Sequence, residues 1–215
     1  MNRPLIANYL CLCVLLSQSS YAQQASVSKE DSSISPDKRW EYECESYDGG
    51  CLPQLSKAGT TEVAVDLHDE LGTYDREASM ARIVWAPDSS RFAFNYSGPH
   101  PHGTTSESVA FYQLRGDKWL RLREPEDAAV EFAKQHVFKK THRSKDELIP
   151  EVLKTGEWTD TATVTLYAIW YAAPDSDQFK AGYALTLKFA DNGSWKIAGE
   201  HQISEKEAKK LTGEK

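Results

Sequence analysis

The chain has 215 residues, 27% of them charged, and a formal net charge of −7. This acidic, unpatterned balance supplies no basic face, which excludes nucleic acid as the main partner. Beyond the N-terminal segment, no run approaches the ~18 uninterrupted apolar residues of a membrane-crossing helix, so no transmembrane segment is expected.

The first 22 residues read as a signal peptide. Arg3 gives a positive start, Leu5 to Leu16 is an apolar run, and Ser20-Tyr21-Ala22 places small residues before a cut after Ala22. The mature chain is therefore expected to be exported, to a periplasm or to the extracellular medium. Residues 23–34 are polar, Ser-rich and without period, and read as a disordered leader. Residues 35–215 read as a single β-rich domain.

Of the four cysteines, Cys11 and Cys13 leave with the signal. Cys44 and Cys51 remain, and in an exported chain such a pair reads as a disulfide rather than a redox motif. The expected hairpin sets Cys44 opposite Cys51, Tyr42 opposite Pro53 and Trp40 opposite Leu55. Glu41, Glu43 and Glu45 then share the other face. A loop this short contributes about 2 kcal/mol by the chain-entropy estimate.

Strands are expected over 40–46, 52–57 and 62–67, followed by an acidic connection over 68–78. Trp85 to Ser97 then reads as strand, turn, strand. Pro87-Asp88-Ser89-Ser90 form the turn, and Phe92, Phe94 and Tyr96 share one face. Gly98 to Ser106 is a Gly- and Pro-rich loop, and strands over 109–114 and 118–122 flank the Gly116-Asp117 turn. A long helix is expected over 124–143, with Pro125 in its first turn, acidic residues at its start and Lys139, Lys140 and His142 at its end. Residues 145–153 read as a second short helix that Pro150 interrupts. A strand over 163–172 is apolar on both faces. A strand over 182–190 turns at Asp191-Asn192-Gly193 into another over 195–201. Ser204 and Glu207 make a capping box for a short C-terminal helix.

Three stretches share one chemistry. Ser35-Pro36-Asp37 leads to Trp40, Ala86-Pro87-Asp88 to Phe92, and Trp158-Thr159-Asp160 to Val164. Each begins a meander with a second turn, and Val63, Trp119 or Trp195 reopens its last strand. On these residues the chain resembles the Tol-type and WD-like β-propeller repeats, with their SPDG-like turn. The resemblance implies antiparallel meander sheets with about three propeller-like units, 35–67, 81–122 and 157–203, on a binding or scaffolding platform. With three units, a ring, a partial array and strands merged into larger sheets all stay open. No catalytic residue carries over.

Candidate chemistry is sparse. His100-Pro101-His102, in a Gly- and Pro-rich loop, offers two imidazoles as binding residues or as part of a metal site with His68 or Asp69. His68-Asp69-Glu70 offers a general base. No GxSxG, HExxH, P-loop or GxGxxG motif is present. Asn95-Tyr96-Ser97 and Asn192-Gly193-Ser194 match the glycosylation sequon. The expected function is a non-catalytic binding or interaction protein for a protein, peptide or glycan, with no cofactor. The alternative is a metal-dependent or serine-type hydrolase using the loop histidines.

Overall fold

Alternating apolar residues and short turns drive about half of the described residues into strands, and the protein is mainly β with antiparallel sheets. The computed structural model describes residues 34–47, 50–71, 81–99, 105–139, 142–144, 146–172 and 178–212. The expected signal peptide and the leader up to residue 33 lie outside the described residues.

The first unit is β1 (Trp40–Tyr47), β2 (Gly50–Lys57) and β3 (Val63–Asp66), a three-stranded sheet in that order. A single bridge, Ile34 to Glu41, stands where a strand would precede β1. The second unit is β4 (Arg82–Trp85), β5 (Arg91–Pro99), β6 (Thr105–Arg115) and β7 (Lys118–Arg121). The third is β8 (Val152–Trp158), β9 (Thr163–Tyr171), β10 (Phe179–Phe189) and β11 (Trp195–Ile203). The second and third units join in one eight-stranded sheet, in which β8 pairs with β6 in parallel at Glu107 and Val152. Among the described residues there is no closed barrel or propeller.

The turns that open the first two units are built alike. Ser35 N donates to Trp40 O at 2.9 Å and Lys38 N to Ser35 O at 2.8 Å. Ala86 N donates to Arg91 O, and Ser89 N to Ala86 O, both at 2.9 Å. Asp37 Oδ1 accepts from Arg39 N and Asp88 Oδ1 from Ser90 N, at 3.1 and 3.0 Å. Lys38 and Ser89 hold the same left-handed φ, 60° and 59°. The two turns also touch, since Asp37 N donates to Ser89 Oγ at 2.9 Å. The third turn keeps only the aspartate: Asp160 Oδ1 accepts from Ala162 N at 2.7 Å. Its strands close one residue sooner, through Thr159 N to Thr163 O.

The units stack face to face. Phe92, Phe94, Ala110 and Tyr112 of the second unit meet Trp40 and Leu55 of the first. On the opposite face, Ala93, Val109 and Phe111 meet Trp158, Val164, Leu166, Leu185 and Phe189 of the third. Strand β9 is covered on both faces as expected, because Ile169 belongs to a third cluster with Ala184 and Ala208. The outer face of the first unit carries Glu41, Glu43 and Gln54. The outer face of the third is covered by α3 (Glu205–Thr212) through Ala208 and Leu211. The capping box forms: Ser204 N donates to Glu207 Oε2 at 2.8 Å, and Glu207 N to Ser204 Oγ at 3.3 Å.

Three expectations are corrected. The hairpin register is displaced by two: Cys44 pairs with Pro53, Tyr42 with Leu55 and Trp40 with Lys57, while Cys51 pairs with Ser46. The pairing runs as far as Tyr47 and Gly50, and Asp48 and Gly49 lie outside the described residues. A shift of two preserves the faces, so Trp40 and Leu55 are still buried. The long helix is shorter: α2 (Pro125–Phe132) runs into one wide turn, Ala133–Val137, where Phe138 N reaches Ala133 O at 2.9 Å. That turn swings Phe138 into the core and ends the helix. The second short helix is a single 3₁₀ turn, Asp146–Leu148, after which the chain becomes β8.

Candidate functional site

Strand β8 crosses the face of the second unit, and three contacts trace its path. Glu107 N of β6 donates to Glu151 O at 3.2 Å. Thr155 meets Asn95 of β5, and Trp158 Nε1 donates to Val84 O of β4 at 3.0 Å. Asn95 and Thr155 are both buried and make three bonds. Thr155 N donates to Asn95 Oδ1 at 2.7 Å, Thr155 Oγ1 to the same oxygen at 3.1 Å, and Asn95 Nδ2 to Thr155 Oγ1 at 2.8 Å. This side chain thus occupies a strand N–H that a neighbouring strand would otherwise take.

Where β8 approaches β4, it does not pair with it. Gly156 and Glu157 fall in a register shift against β9 between Thr155 and Trp158. The space left is a groove of about 510 Å³ lined by Ile34, Pro36, Arg82 to Trp85, and Thr155 to Glu157. Its three walls come from the three units: the bridge that precedes β1, the opening strand β4 and the opening strand β8. Ile83 and Trp85 belong to the core shared with the first unit, and Val84 packs on the core shared with the third. Tyr42 steadies the start of β4, its hydroxyl donating to Ala81 O at 3.4 Å. Burial pushes the pKa of that hydroxyl up to about 12. The groove's polar side chains are Arg82, Thr155 and Glu157, and the Thr155 hydroxyl is already engaged by Asn95. An arrangement of this kind binds by shape, apolar contact and backbone hydrogen bonds.

The residues singled out in the sequence fall elsewhere. His100 and His102 lie outside the described residues, as does the side chain of Cys51. Of the candidate base residues, Glu70 is engaged, accepting from Tyr112 at 2.6 Å and from Arg121 Nη2 at 2.7 Å. His68 has its backbone N–H capped by Asp66 Oδ1 at 2.9 Å and its imidazole Nδ1 buried without a hydrogen-bond partner among the described residues. Burial, then the bond to Glu70, raise the Tyr112 pKa well above the usual tyrosine value. This network ties α1 (His68–Leu71) to β6 and β7. Among the described residues, no group of three or more His, Cys, Asp or Glu could hold a metal ion. Ser89 is fully buried, and Ser90 and Asp88 bond to each other, so these residues make the turn. Of the two sequons, Asn95 is buried in its bond with Thr155, whereas Asn192 is exposed on the β10–β11 turn. Among the described residues, no helix is long and apolar enough to cross a membrane.

Asn95, Thr155 and the groove escaped sequence reading. The available signal was an asparagine on the apolar face set by Ala93, where a buried amide demands a partner. Compared with protein-family models, curated proteins and solved structures, the chain matches none.

Proposed function

We propose that the mature chain is an exported, non-catalytic binding protein whose site is the groove between Ile34, β4 and β8. One observation carries this reading: the opening segments of all three units converge on that groove. Its lining is largely apolar, with Arg82 and Glu157 as its charged side chains, a composition suited to holding a ligand. Export rests on the signal-like residues 1–22, and N-terminal sequencing of the secreted chain is expected to begin at Gln23.

The units are further read as propeller-like blades in an open array. The matching bonds of the first two turns and the face-to-face stacking support this. An acidic first face and a helix-covered last face suit an array that stops at its ends. The Cys44–Cys51 disulfide remains part of the reading. The two cysteines stand at diagonal register positions across one hairpin, and free-thiol labelling of the native mature chain is expected to detect no reactive thiol.

The binding test uses the labelled mature chain on arrays of peptides and of glycans. Saturable binding of one class is expected, weakened at least tenfold by both Arg82→Glu and Glu157→Lys. Binding indifferent to both substitutions, or chemical conversion of the bound ligand, would overturn the reading.

A further inference from the structure

We infer that the ligand of this groove is an extended peptide that adds a strand to β4, pairing with the backbone of Ile83 and Trp85. This rests on the groove being the binding site.

The pairing pattern decides which backbone groups are available. Ala86 N bonds to Arg91 O, so Ala86, Val84 and Arg82 turn their N–H and C=O groups toward β5. Ile83 and Trp85 lie between them and turn theirs the other way. On that side no strand pairs with β4 among the described residues. Two residues present two donors and two acceptors at the spacing an extended chain repeats. A glycan or a globular surface has no such repeat, whereas strand addition supplies it residue by residue.

The edge is short and recessed, but little along its length refuses a further strand. Sheets guard exposed edges with charges, prolines or bulges. Strand β4 has none of these beyond Arg82, and its register with β5 runs unbroken from Arg82 to Trp85. The opposite wall is kept clear for a guest, because the Thr155 N–H that could pair there is taken by Asn95. Strand β4 has four residues, which at ~3.3 Å per residue span roughly 13 Å. A peptide strand has side chains on alternating faces. One set would meet Ile34, Ile83 and Trp85 and is expected to be apolar. The other would pass Gly156 between Arg82 and Glu157 and is expected to be small or polar.

The experiment pans the mature chain against a phage-displayed library of dodecapeptides and synthesises the strongest binder. Amide exchange is then followed by NMR with and without that peptide. The Ile83 and Trp85 amides are expected to exchange fast in the free protein and at least tenfold slower in the complex, while Arg82 and Val84 are protected in both. N-methylation along the peptide is expected to weaken binding at least tenfold at every second residue. Ile83→Pro, which removes an outward N–H and no bond to β5, is expected to weaken binding similarly. The N-methyl series leaves the protein intact, so it decides the matter if that variant does not fold.

A bound peptide that leaves both amides unchanged, or is indifferent to N-methylation, overturns strand addition. The groove reading survives that result if Arg82→Glu still weakens the peptide. Glycan binding at the groove with no peptide selected also overturns the inference and keeps the groove. Binding of neither class ends both.

Discussion

The path from β11 to β4 through the eight-stranded sheet, from which β7 branches at β6, ends in two edges that handle the same hazard in opposite ways. Strand β11, at one end, has nine residues and is largely exposed. It carries Lys196, Glu200 and His201, and a bulge at Ala198, where Thr186 pairs with Gly199 but Leu187 with Ile197. Charge and bulge are the usual means of refusing another strand. Strand β4, at the other end, has four residues, three of them apolar, and no bulge. It lies recessed between Ile34 and β8. One edge is blunted along its length and the other is merely hidden, which separates an edge closed to partners from one with restricted access.

The largest effect is expected from the side chain that ties β8 to β5 beside the β4 edge, Asn95. Asn95→Ala leaves the Thr155 N–H and hydroxyl buried without partners. Each such group costs roughly 1–3 kcal/mol, so the loss should reach about 2–6 kcal/mol in urea unfolding, with an unchanged m-value. An unaltered midpoint would mean that β8 holds its place without the asparagine, and the contrast between the edges would then owe nothing to it.

How much of this was legible differs from one end of the sheet to the other. The β10–β11 hairpin was readable from Asp191-Asn192-Gly193, and the cap of α3 from Ser204 and Glu207, because both are local chemistry. Phe92, Phe94 and Tyr96 announced their shared face by alternation. Strand β8 was not readable: Pro150 and Gly156 look like breakers, and what holds Thr155 lies 60 residues away in Asn95. The groove failed for the same reason. Its walls are three segments, each ordinary alone, that only the stacking of units brings together. His100 and His102 stood out because of their loop, and the described residues leave them untouched.

A smaller effect concerns the root of β8. Burial, the dominant influence, raises the Glu151 carboxyl from 4.5 to about 7, although its own N–H, the Tyr171 N–H and the Arg143 guanidinium all favour the charged form. Since the folded-state value lies above the unfolded one, the stabilising contribution is complete below about pH 4.5 and is lost as the pH rises through about 7. Glu151→Gln is therefore expected to flatten the pH dependence of the urea midpoint over that window. An unchanged slope would show that Glu151 is ionised in the fold throughout, leaving β8 anchored independently of pH.

The smallest change in stability, and the most direct test of the contrast, comes from removing the guard on β11. Lys196→Thr with Glu200→Thr takes both charges from an exposed strand while keeping residues that suit it. Surface substitutions of this kind usually shift stability by no more than about 0.5 kcal/mol, so the unfolding midpoint should barely move. The consequence should appear in association. Sedimentation of the double variant is expected to show a concentration-dependent dimer that the unmodified chain does not form, because the row of backbone donors and acceptors on β11 would have lost its charged guard. If the double variant stays monomeric, the bulge at Ala198 is a sufficient guard, and charge is incidental to the difference between the edges. Restoring a continuous strand by deleting Ala198 in the same background would then be the remaining way to make β11 accept a partner. Failure of that variant to associate would mean that recession in a groove, rather than freedom from charge and bulge, is what distinguishes β4.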